Sequence, residues 1–525
     1  MKENNIFKRA TLLKQIEQNS NWDVIIIGGG ATGLGIALDS VTRGFKTLLL
    51  EQVDFAKGTS SRSTKLLHGG VRYLAQGNID LVKEALYERG LLLKNAAHLV
   101  NNQTFIIPNY TWWDMFKYTI GLKIYDVLAG KLSFGESIRI TKDETISRLS
   151  ILKNENLKGG VVYHDGQFDD ARLAINIAQT AIENGATVLN HFKVDQLKKN
   201  TVGIVNGVVA KDMETNTTYT VNAKVVINAT GVFTDAILKM DNAQSKDIVR
   251  PSQGIHLVLD KSFLPGKDAI MIPKTNDGRV LFLVPWHNRV VVGTTDSLLD
   301  SQSLEPKALD KEVDFIIATT NNYLTKKVSK ADVLSIFAGL RPLAAPKDKS
   351  KKTKEISRSH KIIISKSELI TITGGKWTTY RRMAQDTINK AISIGKLQEV
   401  SCKTKNIKIH GAVETNDISH HLYIYGTDQG KIEDLIAATP ELGEKIHTRL
   451  PYTKAEIVWA IRYEMARTIE DILARRVRTL FLDARATIEI IPMVIKIAAK
   501  ELDKDAFWEQ QQITDFTKIA NQYVL

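Results

Sequence analysis

Residues 24–33 read VIIIGGGATG, where an apolar run is followed directly by three glycines. The run before the glycines, residues 23–27, is rich in β-branched residues and is typical of a buried parallel strand. Residues 31–42, which follow it, have helical periodicity. The glycines with the G-x-G-x-x-G spacing at the intervening turn are Gly28, Gly30 and Gly33. The pattern predicts a strand, a tight turn and a helix in an α/β sheet.

An acidic residue follows this turn at the distance that a dinucleotide site requires. The next apolar run, FKTLLLE, ends in Glu51, and a carboxylate about 20 residues past the glycines can bind ribose hydroxyls. The helix N-terminus offers its N–H groups to phosphates. These features favour a bound dinucleotide over the alternative, a glycine-rich turn without a ligand, but they do not say which dinucleotide.

Composition and charge narrow the class of protein. The 525 residues are too many for one core, which predicts two or three domains. One cysteine, Cys402, excludes a disulfide framework and a cysteine-rich metal site, and we expect no metal. We expect no membrane-spanning helix and no secretion signal, and therefore a cytoplasmic protein. The net charge of +13 favours anionic partners without choosing among them.

Further motifs follow in a fixed order along the chain. GTSSRSTKLLHGGVRYL, residues 58–74, places hydroxyl groups, Lys65 and His68 after the second strand, and FDDARL, residues 168–173, opens a helix with Asp169 as its N-cap. The remaining motifs are VVINATG (225–231), PWHNRVVVGTTD (285–296), AGLRPL (338–343) and TGGKWTTYR (373–381). Together they resemble the signatures of the aerobic, FAD-dependent glycerol-3-phosphate dehydrogenases.

This resemblance implies an α/β fold with three parts: a discontinuous FAD-binding Rossmann-like domain, an antiparallel-sheet substrate domain and a C-terminal helical cap domain. Short alternating runs between residues 245 and 340 independently predict antiparallel strands, and residues 454–476 have helical spacing. The predicted ranges are 20–75, 150–240 and 340–390 for the FAD domain, 76–149 and 241–339 for the substrate domain, and 391–525 for the cap.

The resemblance also implies the site residues. It assigns cofactor binding to Gly28, Gly30, Gly33, Glu51, Ser60, Ser61, Lys65, His68, Gly69, Gly231, Gly375 and Lys376. It assigns the substrate to Arg72, Tyr73, Arg341, Arg358 and Lys376. Arginine suits a phosphate because it offers paired donors. Arg358 follows a basic run that is also typical of a solvated loop.

Two histidines are candidates for the group that takes the hydroxyl proton. His256 lies on a predicted strand, where a lone histidine is often a structural core residue, and the resemblance favours a catalytic role for it. His68 is expected beside the flavin. Arg341 offers a different route, since it could stabilise a developing alkoxide instead of accepting a proton. The sequence leaves these alternatives open.

The family implied by the resemblance oxidises glycerol 3-phosphate with FAD and passes electrons to a membrane quinone. We therefore expect peripheral contact with the inner face of the cell membrane. The candidate segment is residues 109–132, where aromatic residues and lysines mix with amphipathic spacing. The same apolar face could instead pack on the core. The sequence leaves the oligomeric state open, a homodimer being one option.

Other functions remain as alternatives. A glycerol-3-phosphate oxidase would pass electrons to oxygen, but such relatives carry a mid-chain insertion that is not evident here. An amine oxidase of similar fold would not need so many cations around its substrate. A tRNA-binding flavoprotein is disfavoured because aromatic and basic residues are not interleaved, so we expect no nucleic acid partner. A flavin-binding module without catalysis would leave the cationic positions unexplained.

Overall fold

The computed structural model describes residues 5–74, 77–275, 278–344, 360–414 and 420–525. Its strands are β1 (Asn21–Ile27), β2 (Thr47–Leu50), β3 (Leu66–Leu67), β4 (Val100–Asn109), β5 (Ile138–Ile140), β6 (Gly159–Phe168), β7 (Thr187–Leu189), β8 (Phe192–Lys199), β9 (Val205–Asp212), β10 (Thr218–Asn228), β11 (Val249–Asp260), β12 (Ala269–Ile272), β13 (Leu281–Trp286), β14 (Arg289–Gly293), β15 (Ser297–Leu298), β16 (Val333–Ala344), β17 (Lys361–Ile364) and β18 (Ile370–Thr373). Its α-helices are α1 (Arg9–Gln18), α2 (Ala31–Thr42), α3 (Val71–Leu74), α4 (Ile79–Asn95), α5 (Trp112–Ala129), α6 (Lys142–Arg148), α7 (Asp170–Glu183), α8 (Thr234–Asp241), α9 (Asp310–Tyr323), α10 (Tyr380–Ile394), α11 (Gln429–Ala438), α12 (Lys454–Tyr463), α13 (Thr479–Leu482), α14 (Ala484–Leu502) and α15 (Ala506–Ala520).

The first sheet has a parallel centre that carries the glycine turn. Within the described ranges it has eight strands, and β18, β10, β1, β2 and β7 run parallel in that order. Ile26 of β1 lies opposite Leu49 of β2 and Ile227 of β10. All three are buried, because helices such as α2 and α7 cover this sheet. The predicted strand–turn–helix unit at residues 23–42 is therefore confirmed.

The second sheet is mostly antiparallel and contains the predicted strands between residues 245 and 340. The described part has ten strands, and its central strand, β11, pairs with β14 on one side and β16 on the other. His256 of β11 lies opposite Gly293 and Phe337. One face of this sheet packs against α9 in a core that includes Leu257 and Ile316.

The chain passes between the two sheets more often than the predicted ranges suggest. Residues 150–240 were predicted to belong to the cofactor domain, yet β6 within them pairs with β4 in the antiparallel sheet. Strand β16 is also antiparallel, although its last residues fall in the predicted range 340–390. Hydrogen-bond pairing between distant strands, which periodicity does not reveal, places these segments.

The helical predictions hold with one correction. Asp169 caps α7 as expected, since its side chain accepts a hydrogen bond from the Arg172 N–H. The predicted helix at residues 454–476 is wrong as a single element, because α12 ends at Tyr463. Met465 has a φ of +58°, which a continuous α-helix does not allow, and the chain resumes as a π-helical turn at Asp471–Arg476.

The C-terminal segment is helical and has a core of its own. Helices α12, α13, α14 and α15 pack around a cluster that includes Ile457, Leu480 and Val494. This cluster reaches Phe337 and Val258 of the antiparallel sheet. In the part of the chain described here, none of the helices combines the length and apolar character needed to cross a bilayer.

Candidate active site

A cavity of about 330 Å³ opens beside the glycine turn. It lies at the carboxyl ends of the parallel strands, where open α/β sheets bind ligands. Predicted site residues that line it are Gly28, Gly30, Glu51, Ser60, Gly231, Gly375 and Lys376. Segments far apart in sequence thus meet around one space, as the predicted dinucleotide site requires.

The glycine turn is shaped so that backbone faces the cavity. Gly28 has a φ of +109°, and a Cβ there would come within 2.7 Å of the Ala229 carbonyl oxygen. Gly33 does not line the cavity, and a Cβ on it would overlap the Gly28 carbonyl oxygen. Gly33 therefore lets α2 pack closely on the turn, while Gly30 and the first turn of α2 face the ligand space.

Glu51 lies at the end of β2 and touches both the turn and the cavity. One carboxylate oxygen accepts a hydrogen bond from the Gly29 N–H at 2.6 Å, and the other accepts one from the Val53 N–H at 2.9 Å. Burial raises the pKa of this carboxyl group above its ordinary value. Glu51 is placed where the ribose-binding prediction puts it, and it also stabilises the glycine turn.

Residues 54–64, here called the cofactor loop, cover one side of the cavity. Lys57, Gly58, Thr59 and Ser60 line the space. The Ser60 hydroxyl accepts a hydrogen bond from the first N–H of α2 at 2.9 Å. The Ser60 carbonyl accepts one from the Trp377 indole at 2.8 Å. The loop is thus fixed to both the glycine turn and the segment before α10.

The opposite side of the cavity is formed by two further glycine turns. Gly231 has a φ of +60°, and a Cβ on it would meet nothing within 4 Å. Gly375, with a φ of +81°, follows β18 and precedes Lys376, which also lines the space. A ligand can therefore approach the backbone closely at Gly231, whereas the space beside Gly375 is occupied by the Met383 side chain.

Several predicted cofactor residues lie outside this lining. They are Ser61, Lys65, His68 and Gly69. Gly69 packs against protein, since its N–H donates to the Asp165 carboxylate at 3.2 Å and a Cβ would overlap the Tyr125 hydroxyl. This close packing explains why glycine stands at that position.

Lys65 is fully buried beside the antiparallel sheet. Its ammonium group donates to the Asp170 carboxylate at 2.7 Å and to the Ser61 carbonyl at 2.8 Å. It also lies over the rings of Trp286 and Phe337, at 5.2 and 5.1 Å from their centroids. Burial lowers its pKa to about 7, against the opposing effect of the Asp170 charge.

His256 is buried at the centre of the antiparallel sheet. Its Nε2 lies 2.9 Å from the Thr64 hydroxyl, and its ring stacks on Phe337. Burial, together with the nearby charges of Lys65 and Arg341, holds its pKa well below the ordinary histidine value. The imidazole is therefore neutral near pH 7.

Arg341 lies on β16, beside β11. Its guanidinium Nη2 donates to the Thr295 carbonyl at 3.1 Å, and Nη1 lies 3.6 Å from the Asp296 carboxylate. The next residue, Pro342, lines the cavity. Arg341 itself is not part of this lining, and its guanidinium group lies against β11 and residues 294–296.

Three further residues, Arg72, Tyr73 and Arg358, were predicted to bind substrate. Arg72 and Tyr73 lie on the short helix α3, of which the structure describes only the backbone at these two positions. Arg358 lies outside the described residues.

Known proteins resemble this chain over most of its length. The model of the FAD-dependent oxidoreductase family matches residues 23–381, and the model of the C-terminal domain of alpha-glycerophosphate oxidase matches residues 365–512. A probable mitochondrial glycerol-3-phosphate dehydrogenase of Caenorhabditis elegans is 40% identical, over 96% of this chain and 74% of its own. The chain belongs to the FAD-dependent glycerol-3-phosphate dehydrogenase family. Its cofactor is FAD.

Solved structures of this family and of related flavoenzymes agree with the fold. The glycerol-3-phosphate dehydrogenase of Bacillus halodurans, solved with FAD, superposes with a TM-score of 0.81 and 28% identity over 99% of this chain and 98% of that one. The L-alpha-glycerophosphate oxidase of Mycoplasma pneumoniae gives a TM-score of 0.54 with 17% identity, over 73% of this chain and 96% of its own, which shows a shared fold only.

The residues around the cavity fit the FAD of this dehydrogenase family. The helix N-terminus at Gly30 suits the pyrophosphate, and Glu51 suits a ribose. The open backbone at Gly231 leaves room for the cofactor, because no side chain fills the space there. The fit therefore rests on the backbone of the turns at residues 28–30, Gly231 and Gly375 and on the Glu51 carboxylate.

Part of the cavity lining carries no signal in the local sequence. Phe192, Lys193 and Val194, at the start of β8, line the cavity beside Glu51. Their sequence, FKV, has no cofactor signature. The Phe192 N–H donates to the Glu51 carbonyl at 2.7 Å, so the position follows from a contact between distant segments. Met240 of α8 and Leu304 also line the space without a local signal.

Proposed function

We propose that this protein oxidises the secondary alcohol of sn-glycerol 3-phosphate to dihydroxyacetone phosphate and passes the electrons to a membrane quinone. Its membership of a dehydrogenase family named for this substrate supports the reaction. Bound FAD supplies the hydride acceptor. The residues of the chain must then bind the phosphate, orient the alcohol and take its proton.

One observation carries this proposal: the cofactor loop hydrogen-bonds both strands that present the predicted catalytic groups. The Thr59 hydroxyl donates to the carbonyl of Leu340, directly before Arg341, at 2.5 Å. Thr64, farther along the same loop, pairs with His256 at 2.9 Å. A substrate held by these two groups would lie next to the cofactor space. The carbinol carbon would then lose a hydride to the bound cofactor, and its hydroxyl group would lose a proton to the protein.

Arg341 would bind the phosphate or stabilise the oxygen of the reacting alcohol. A guanidinium group offers paired donors to phosphate oxygens, and its charge persists at all working pH values. The Thr295 carbonyl and the Asp296 carboxylate hold this side chain in place. Such preorganisation strengthens its interaction with a developing negative charge.

His256 would take the hydroxyl proton. Its Nδ1 is buried and makes no hydrogen bond within the described part of the chain, while Nε2 faces Thr64. Lys65 and Arg341 repel the protonated form. A bound phosphate dianion would offset this repulsion and make the imidazole more basic when substrate is present.

Helix α5 supports contact with the inner face of the cell membrane. One of its faces packs on the protein through Met115, Leu122 and Tyr125. The other face is exposed and apolar, with Trp112, Trp113, Phe116, Ile120, Ile124 and Val127. The alternatives of core packing and bilayer contact thus apply to different faces of one helix.

The chemistry of the exposed face suits an anionic bilayer. Trp113 is 72% exposed and Val127 is 79% exposed, although both side chains are apolar. Lys117 and Lys123 belong to the same helix, and Arg139 lies 5.1 Å from the Trp112 ring centroid. Aromatic residues flanked by cations bind the interfacial region of membranes. A quinone dissolved in that bilayer could then reach the enzyme.

The substrate is tested by anaerobic bleaching of the flavin. Glycerol 3-phosphate should abolish the visible absorbance of the holoenzyme, and dihydroxyacetone phosphate should appear in equal amount. Glycerol and glycine are matched controls that lack the phosphate or the alcohol. Equal bleaching by glycerol and glycerol 3-phosphate would show that no phosphate site operates, and bleaching by glycine alone would indicate an amine oxidase.

The electron acceptor and the membrane surface are tested separately. The reduced enzyme should transfer electrons to a soluble quinone analogue much faster than to oxygen, and fast peroxide formation would indicate an oxidase. Replacing Trp112, Trp113 and Phe116 by serine should abolish binding to vesicles of anionic phospholipid while leaving flavin reduction unchanged. Phe507→Ser, which changes a 79% exposed side chain elsewhere, should not affect vesicle binding.

A further inference from the structure

The cofactor loop is fixed from the C-terminal helical region by buried charges. Asp54 begins the loop and is completely buried. Its carboxylate accepts hydrogen bonds from Arg475 Nε at 2.5 Å and from Arg476 Nη1 at 2.6 Å. Asp54 and Arg475 are 421 positions apart in the sequence. The first residue of the loop is therefore tied to the far end of the chain.

A second tie involves a residue that lines the FAD cavity. The Lys57 ammonium lies 2.6 Å from a carboxylate oxygen of Glu470 and also contacts Glu305. Glu305 in turn accepts hydrogen bonds from Arg62 at 2.7 Å and from the Tyr523 hydroxyl at 3.2 Å. Lys57 is thus held between two carboxylates, both outside the parallel sheet.

A third tie holds Ser61, which directly follows the cavity-lining residues 57–60. Arg478 is buried and has a φ of +59°, which turns its side chain toward the loop. Its Nη2 donates to the Ser61 carbonyl at 3.0 Å and to the Asp170 carboxylate at 3.0 Å. The residues between Asp54 and Ser61 are therefore fixed at both ends and in the middle.

Each of the three ties includes a residue from the segment 470–478, here called the arginine turn. It contains the π-helical turn Asp471–Arg476, a rare conformation that is frequent at functional sites. Arg475, Arg476 and Arg478 are at most 2% exposed. All three guanidinium groups reach the cofactor loop, at Asp54 and at Ser61.

The buried charges of the cofactor loop and of the arginine turn stabilise each other. Burial acts to raise the pKa of Asp54, but Arg476 and Arg475 hold it well below its ordinary value. Burial also acts to raise the pKa of Glu470, whereas Lys57 and Arg475 lower it to about 2. A buried charge that loses its partner is costly. The loop therefore keeps this position only while the arginine turn is docked.

We propose that the arginine turn positions the cofactor loop for FAD binding, so that docking of the C-terminal helices and FAD affinity are coupled. The residues of the turn are positioning residues, since they act on the cofactor through Asp54, Lys57 and Ser61. Coupling of this kind is reciprocal. FAD binding therefore also stabilises the docked C-terminal region.

A merely structural role for the turn predicts a different result, and the chain offers a matched control. Glu88 of α4 and Arg381 of α10 form another buried ion pair, 2.5 Å apart. Neither side chain hydrogen-bonds the cofactor loop or the arginine turn in the described structure. Glu88→Gln therefore removes a buried charge while leaving Asp54, Lys57 and Ser61 with their partners.

The test compares Asp54→Asn with Glu88→Gln in the full-length holoenzyme. Each protein is diluted, and released FAD is measured by its fluorescence to give a Kd, while urea unfolding with and without added FAD gives stability. Asp54→Asn should raise the FAD Kd about tenfold or more, because charge-assisted hydrogen bonds are lost. Glu88→Gln should lower stability with the FAD Kd within about twofold of wild type. Equal FAD Kd values for the two variants would overturn the proposal.

A second variant keeps the test decisive if Asp54→Asn does not fold. Glu470→Gln removes the charge opposite Lys57 at a carboxylate that is 13% exposed, so the fold should tolerate it. It should raise the FAD Kd several-fold and shrink the stabilisation that added FAD gives against urea. An unchanged FAD Kd together with unchanged stabilisation would also overturn the proposal.

Discussion

The parallel and antiparallel sheets contribute to the site in different ways. Around the FAD cavity, the parallel sheet presents mainly backbone at the turns of Gly28, Gly231 and Gly375. The antiparallel sheet instead presents two side chains, His256 and Arg341, from neighbouring strands. A backbone site is damaged by any added side chain, whereas a side-chain site is damaged by the loss of one particular group. Four substitutions test this difference.

The largest effect is expected at the glycine turn. In Gly33→Ala the added methyl group would overlap the Gly28 carbonyl oxygen, so α2 must move away from the turn. We expect loss of bound flavin and about 3 kcal/mol or more of stability, measured by flavin absorbance per chain and by urea unfolding. Gly430→Ala is the control, because a Cβ there meets nothing within 4 Å. Retention of full flavin content by Gly33→Ala would contradict a backbone-built site.

The next largest effect is expected on the antiparallel sheet. Arg341→Ala should lower kcat/KM for glycerol 3-phosphate about 10²- to 10³-fold, because a preorganised charge is lost. Flavin content should not change. Arg462→Ala is the control, since it breaks an exposed ion pair with Glu501 far from the cavity. If Arg341→Ala lost flavin and activity together, the antiparallel sheet would also contribute to holding the cofactor, contrary to this comparison.

Glu51 is the exception on the parallel sheet, because it contributes a side chain. Glu51→Gln should raise the FAD Kd about tenfold, since a carboxylate accepts hydrogen bonds more strongly than an amide. Glu433→Gln, at an exposed position of α11, is the control. FAD titration of the purified proteins measures the effect. Unchanged affinity would show that the turn alone binds the cofactor.

The smallest effect is a pH dependence of stability at His256. The folded protein holds the pKa of His256 below the ordinary value of about 6.5, so the unfolded chain binds more protons as pH falls. This contribution is fully present above pH 6.5 and declines below it. Wild type should therefore lose up to about 1.4 kcal/mol per pH unit more than His256→Gln below pH 6.5. Parallel pH profiles in urea unfolding would contradict the burial of a neutral imidazole.

Local features of the chain were predictable from the sequence. The bounds of α2 and the N-cap at Asp169 follow from glycine spacing and side-chain chemistry within a few residues. Helix α5 was likewise expected from its aromatic periodicity, although the sequence could not tell which face is exposed. Each of these features depends on neighbours along the chain.

Other features depend on contacts that no local pattern records. The burial of Lys65 among aromatic rings arises from strands and helices that converge from four segments. The break at Met465 interrupts a regular helical pattern, and the Glu464 carbonyl there accepts hydrogen bonds from the Arg476 guanidinium. The ion pair of Asp54 with Arg475 joins residues that sequence spacing gives no reason to connect.

The strand, the glycine turn and the following helix could be predicted from the amino-acid sequence alone, as could the role of the acidic residue after them. Each depends on steric and hydrogen-bonding constraints between residues that are close along the chain. The contact of Thr64 with His256, the place of Pro342 in the cavity lining and the hold of the arginine turn on the cofactor loop follow only from the folded arrangement. These contacts arise from sheet pairing and domain packing. Their free energies depend on burial, which exists only once the whole chain has folded.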